Sequence, residues 1–294
     1  MAMSRAIARP RGKRRYGGSR ATARPRWLVL AGKLGWLGRW VVLAVGAFAW
    51  QGWAQWRHSI FFPPPSAILA NMYHSWFSGP ASHLSLTSAA IGNILPSLGR
   101  IGIAVGIAVV VGGPLGIAIG RSSAVSEFLE PLLHFARSIP PVALVTVFIV
   151  LFKLGDEMEI AFITFGIIWP ILLNTIDGAQ TLDPLQVETA RVFGLSTSQR
   201  VTRLIVPASL PKFFAGLRIS VSLALILMVI AELTGSTDGI GYLMNNATND
   251  YDMLALWSGI VLLGILGYAL NAVVLGIEHH ALAWHRGARR LTSN

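Results

Sequence analysis

Long apolar runs alternate with short polar and charged stretches along this chain, and the run lengths carry the first prediction. Windows at 37–56, 96–119, 139–154, 158–177, 213–233 and 255–277 approach or exceed the roughly 20 apolar residues that a helix needs to cross a bilayer. The runs are continuous rather than alternating, so they do not read as strands of a membrane barrel, and an open strand could not satisfy its backbone groups in lipid. The expected fold class is all-α: a polytopic membrane protein with about six transmembrane helices. A shorter pattern follows the first run. In "FFPPPSAILANMYHSWF" (61–77) a proline stop precedes Ser66 as N-cap, with Ile68, Leu69, Met72, Tyr73, Trp76 and Phe77 at helical spacing. That pattern predicts an amphipathic helix on the outer face.

Two of the spans carry marks of special packing. Gly102, Gly106, Gly112, Gly116 and Gly120 place small residues four apart in the second span, which lets a helix approach closely, within the chain or across a subunit interface. Pro114 should kink the same run. "RSIPP" at 137–141 breaks the chain before a shorter third span, as expected of an interrupted helix beside a transport path or of a structural corner.

Composition agrees with lipid as the solvent: of 294 residues, 53% are hydrophobic and only 13% charged, with a mean hydropathy of +0.59. The net charge of +11 raises the question of nucleic acid, but its distribution points to topology. Arg5, Arg9, Arg11, Lys13, Arg14, Arg15, Arg20, Arg24, Arg26, Lys33 and Arg39 precede or abut the first span. Arg121 and Arg137, then Arg191, Arg200, Arg203 and Lys212, then Arg286, Arg289 and Arg290 occupy segments on the same side if the spans alternate. The other side holds Asp156, Glu157, Glu159, Asp238, Asp250 and Asp252. The positive-inside rule then puts both termini in the cytoplasm and the basic tail against lipid rather than nucleic acid. The expected organisation is a basic disordered tail (1–36), a first span with an external amphipathic segment (37–84), a transmembrane domain (85–280) containing the loop 178–212, and a cytoplasmic tail (281–294). "AFA" at 47–49 imitates a signal-peptide cleavage site, but the apolar stretch runs on through Trp50, Trp53 and Trp56, as an aromatic belt would. Cysteine is absent, which removes disulfides and thiolate metal sites, and His279, His280 and His285 lack acidic partners at helical spacing. No metal site is expected.

The densest local code lies in "DPLQVETARVFGLSTSQRVTRLIVP" (183–207). Asp183 can cap a helix whose first turn holds Pro184, with Gln186 completing a capping box. Gly194 suits a left-handed stop followed by apolar Leu195. Ser196 with Gln199 restarts the chain in a second box, and Pro207 ends it. Two short helices joined at a glycine are predicted. Gln186, Ala190 and Gly194 at four-residue intervals also imitate a DNA-reading helix-turn-helix, but tethering to bilayer spans on both sides opposes a duplex.

The same residues resemble the coupling-loop signature of ATP-binding-cassette importer permeases: E-A-A, three residues, glycine, nine residues, then I-x-L-P. Here Glu188, Thr189 and Ala190 stand for the triplet, Gly194 for the glycine, and Leu204, Ile205, Val206 and Pro207 for the close. The resemblance extends over about 60–280, where "PPPSAILA", "SIPPVAL" and "AELTGSTDGIGYL" look like the nitrate, sulfonate and taurine branch of those permeases. It implies a second copy of the permease or a paired one, two cytoplasmic ATPase subunits, and an external solute-binding protein that delivers a small anion. It also implies that Asp183, Glu188, Thr189, Ala190, Gly194, Leu204, Val206 and Pro207 couple to the ATPase. No GxxxxGK[ST] occurs in the chain, so ATP and magnesium are expected in the partner subunits, with no cofactor in this chain and no enzyme here alone.

Charges in or near spans are candidates for the translocation path because burying them is costly unless they face water or a partner. Arg100, Arg218 and Glu232 are those candidates. The polar stretch after Glu232 is either an outer gate or a turn needing Gly239 and Gly241 for unusual backbone angles. Two other functions compete with an importer permease: a membrane-tethered DNA-binding regulator using 183–207, and a self-contained ion-coupled carrier.

Overall fold

The computed structural model describes residues 26–83 and 85–283. The basic residues before Arg26, the C-terminal arginines after 283 and His285 lie outside them, as do residues 1–25 of the tail expected to be disordered, whereas its residues 26–36 are helical rather than disordered. Contacts divide the chain into a unit up to Trp50 and a unit from Gln51 onward. The first contributes most of α1 (Arg26–Arg57), on which the first predicted span falls.

Among the described residues of the second unit, every regular element is helical. It comprises α2 (Pro65–Met72), α3 (Ser88–Gly120), α4 (Ser123–Ser138), α5 (Val145–Phe152), α6 (Asp156–Gln180), α7 (Pro184–Val192), α8 (Thr197–Arg200), α9 (Val206–Gly235), α10 (Ile240–Asn249) and α11 (Met253–Ala281). Among the described residues, α3, α6, the continuous helix Thr197–Gly235 and α11 are long and apolar enough to span a membrane, and a bent pair makes a fifth. The expectation of about six is therefore approximate. α1 is not among the five, and its apolar run is diluted by Arg39, Gln51, Gln55 and several tryptophans.

The core forms where α6 is held between α3 and α9. Ala104 and Ala108 from α3, Phe162, Ile163, Ile167 and Ile171 from α6, and Ala224, Met228 and Ala231 from α9 are fully buried or nearly so. The glycine stripe divides along its length. A Cβ on Gly116 would lie 2.6 Å from Thr175 Cβ, and one on Gly120 would lie 2.7 Å from the Ile176 carbonyl. The pairs 112/116 and 116/120 thus serve packing of α3 on α6, whereas Gly102 and Gly106 meet nothing within 4 Å. Closeness replaces the hydrophobic effect as the source of cohesion in lipid, where dispersion between well-fitted helices does the holding.

Three local expectations change. The third span predicted at 139–154 is the second limb of a corner: α4 and the segment Pro141–Phe152 meet at 77°. Ile139, before two prolines, adopts extended backbone, as the clash with a following pyrrolidine ring requires. Ser66 is not an N-cap, since Pro64 takes that position and Pro65 begins the helix. Instead Gln51 grips Ser66, accepting its N–H at 3.0 Å and donating to its hydroxyl at 2.9 Å. α2 does not lie free as an amphipathic surface helix either. It packs on α11 through buried Ile68 and an Asn71 to Ser258 hydrogen bond of 3.0 Å, and Trp76 just beyond it is buried beside Ala90, Ile240 and Leu262.

Candidate functional site

Two clusters stand out, at opposite ends of α6 and α9. The first is the segment after α6. Asp183 Oδ1 accepts the Leu185 N–H at 2.9 Å, so the cap predicted at Asp183 forms, but through Leu185 rather than in a box with Gln186. α7 then closes in a full Schellman turn. Leu195 N–H bonds the Ala190 carbonyl, and Gly194 N–H bonds the Arg191 carbonyl, each at 3.0 Å. Gly194 has φ +77, a region costly for any residue with a Cβ. Ser196 and Gln199 make the second, complete capping box.

The end of the predicted second helix is different. α8 does not stop at Pro207. It passes through a π turn (Val201–Ile205) directly into α9, giving one helix from Thr197 to Gly235. The wider turn explains the proline: Pro207 has no N–H to give, and a π turn already displaces the hydrogen-bond register by one residue. Leu204 and Val206 flank this point, half-buried, while Ile205 is buried.

Of the residues predicted to couple, Ala190 is buried and Glu188 and Thr189 are exposed. The Thr189 hydroxyl donates to the Leu185 carbonyl at 2.7 Å, so its hydroxyl is spent within the helix. Glu188 lines a cavity of about 650 Å³ with Arg121, Arg191, Arg200 and Glu127, between α4 and α7. The sequence reading passed over the most conspicuous surface feature: Val192 is 86% exposed, Phe193 78% and Leu185 70%. In a chain this apolar three more hydrophobic residues carry no signal; only the helix geometry reveals that they project from a polar segment.

The second cluster joins two of the three charges singled out earlier. Arg100 on α3, only 5% exposed, reaches four carboxylates. Its Nη1 lies 2.8 Å from Glu232 Oε1, its Nη2 lies 2.6 Å from both Asp156 and Asp238, and its Nε bonds Asp156 at 2.8 Å. Glu232 is further held by the Ser97 hydroxyl at 2.7 Å and the Gly241 N–H at 2.8 Å. Glu159 is fully buried, with Oε2 3.0 Å from Arg100 Nε but off the N–H direction, so neither of its oxygens accepts a hydrogen bond. Asn93 Oδ1 and Ser97 Oγ receive the backbone N–H groups of Gly239 and Ile240 at 3.0 and 2.9 Å.

Gly239 takes φ +105, as predicted for a turn. Gly241 does not need an unusual angle, because it lies inside α10; a Cβ there would sit 2.7 Å from that of Glu232. The third charge, Arg218, is apart from these, in a close ion pair with Glu278 that ties α9 to α11. Among the described residues no group of acidic, histidine or cysteine side chains is placed to hold a metal.

The family model for the inner membrane component of binding-protein-dependent transport systems matches residues 112–282. The taurine transport system permease protein of Escherichia coli is 27% identical over 256 residues, covering 85% of this chain and 92% of that protein. A nitrate import permease protein of Synechococcus elongatus is 31% identical over 216 residues, 72% of this chain and 77% of its own. A putative aliphatic sulfonates transport permease protein of Bacillus subtilis is 29% identical over 201 residues, 68% and 73% of the two chains. Among solved structures, an inward-facing form of the MetNI methionine ABC transporter superimposes with a TM-score of 0.57 at 18% identity, over 64% of this chain and 94% of that one. At that identity the likeness speaks for the fold alone.

Proposed function

Because the chain belongs to the family of inner membrane components of binding-protein-dependent transport systems, we propose that it carries a small oxyanion of the sulfonate, taurine or nitrate type across the inner membrane. It does so as the permease subunit of an ATP-driven importer. The observation that carries the reading is the Schellman-turned knuckle at Gly194, which holds Leu185, Val192 and Phe193 out of a polar segment. Apolar side chains fixed on capped helices in water stabilise nothing within the chain. They suit burial against another protein.

In this reading the knuckle faces the cytoplasm, as do both termini, and seats in one of two ATPase subunits, which bind ATP and magnesium. Asp183 and Gly194 set its shape, Ala190 allows close approach, Glu188 lies on the side facing α4, and Thr189 is exposed next to it. Leu204, Val206 and Pro207 mark where motion enters the membrane helix. A second copy of the permease completes the path, surrounding lipid fills its outer faces, and an external binding protein delivers the solute. Arg100 and Glu232 shape the outer gate by clamping α3, α6, α9 and the start of α10 together, and Arg218 acts similarly between α9 and α11. The relatives lend no support to a DNA-binding regulator or to a self-contained carrier.

The test is co-purification with a candidate ATPase subunit, followed by uptake into proteoliposomes holding permease, ATPase and binding protein. ATP-dependent accumulation of a sulfonate or nitrate is expected, with complex formation abolished by Gly194→Pro or Glu188→Lys. Uptake that proceeds without any ATPase would overturn the proposal.

A further inference from the structure

A second polar feature lies well inside the membrane-spanning core, away from both clusters. A cavity of about 430 Å³ opens between the α4–α5 corner, the middle of α6 and the middle of α9. Its walls include Arg137, Trp169, Asn174, Leu173, Leu223 and Leu227. Gly166, also on its wall, is ten residues along α6 from Asp156, about 15 Å into the helix at 1.5 Å per residue. The cavity therefore sits near mid-depth. The size is that of a small-molecule site, and the lining has the usual make-up of one: mostly apolar, with a few placed polar groups.

Those polar groups share a sign. The indole Nε1–H of Trp169 is buried and has no hydrogen-bond partner, and an indole nitrogen can only donate. Arg137, in the last turn of α4, forms no ion pair among the described residues, and no carboxylate lines the cavity. The Asn174 amide is held beside it by the Pro170 carbonyl at 2.8 Å. The guanidinium, exposed at the end of α4, and the buried free N–H call for water or an anion, since neither is solvated by lipid. A guanidinium also matches the planar pairs of oxygens on sulfonate and nitrate. The leucines supply the complementary half, a surface for an alkyl tail.

We propose that this cavity is an intramembrane subsite for an oxyanion with an apolar tail, an alkanesulfonate, with Arg137 and the Trp169 N–H as its donors. The inference rests on the importer reading and sharpens it. An unsubstituted alkanesulfonate fits better than taurine, whose ammonium meets no counter-charge in this lining, and better than nitrate, which leaves the leucine wall unused.

The test uses the full-length chain in lipid nanodiscs with its tryptophans replaced by 5-fluorotryptophan, titrated with ethanesulfonate and followed by fluorine NMR. The Trp169 resonance is the one lost in Trp169→Phe and in Trp169→Tyr. Ethanesulfonate should move it saturably, with half-saturation at least ten-fold higher in Arg137→Gln and for taurine or nitrate, and with no movement in chloride. A resonance that stays still, that ignores Arg137→Gln, or that follows nitrate as readily as ethanesulfonate overturns the assignment. ATP-driven uptake by the reconstituted complex is scored separately. Uptake with a silent resonance removes the subsite and keeps the importer; a titrating resonance without uptake in the native complex does the reverse.

Discussion

At the Arg100 end of the bundle, charge is buried among apolar helices, while at the Gly194 end apolar side chains stand in the open on a polar loop. Both arrangements oppose the ordinary sorting of residues, but they fail differently when taken alone. Arg100 and Glu232 are satisfied from within, by one another and by the backbone of Gly241, and Glu159, which accepts no hydrogen bond, still has its counter-charge in the same guanidinium, so that end finds its partners on its own helices. Val192 and Phe193 make no comparable bargain with their own chain. What separates the two is where the missing partner is found: on neighbouring helices in one case and, in the function proposed above, on another molecule in the other.

The sharpest way to break this contrast is Arg100→Met. Removing one member of a buried ion cluster leaves Glu159 and Glu232 without a counter-charge, at a cost of about 3–5 kcal/mol, seen as a fall in the denaturation midpoint of the purified chain. A midpoint that does not move would mean the carboxylates do not need the guanidinium. Gly194→Val forces a branched residue into the left-handed region, about 1–2 kcal/mol. That change should speed proteolysis between 183 and 207 and leave global unfolding alone; equal effects on both would erase the distinction between the two ends.

Phe193→Asp asks the same question of the surface. Stability should stay within about 0.5 kcal/mol, while ATPase affinity falls about ten-fold, near 1.4 kcal/mol, by titration of the two purified subunits. The smallest effect is expected of Ser196→Ala, which removes one side of the capping box at a cost of about 1 kcal/mol. Amide exchange at Gln199 should quicken by roughly five-fold, with that at Ser97 unchanged.

How far each end could be read from residues alone follows from the range of the forces. The caps at Asp183 and Ser196 and the turn at Gly194 depend on partners within a few positions, and their chemistry was legible. The passage of α8 into α9 was not, because a proline reads as a stop unless the preceding turn is known to widen. The membrane helices follow from run length, yet the corner at Pro140 yields a bend without its angle. Arg100 and Glu232 each stood out as charges among apolar neighbours, but they meet across 132 positions. Asp156 and Asp238 read as ordinary loop acids for the same reason. Glycine periodicity marked close packing along α3 without saying which half was used, since that depends on where α6 lies.

The unbroken helix from Thr197 to Gly235 has a mechanical corollary. Its 39 residues make a lever about 58 Å long at 1.5 Å per residue, with the capped turn at one tip and Glu232 close to the other. Each degree of tilt about either end carries the far tip by about 1 Å, comparable to the slack in a single hydrogen bond. A tilt of a few degrees pivoting at the capped tip would therefore carry Glu232 several ångströms relative to Arg100, more than their 2.8 Å contact can absorb.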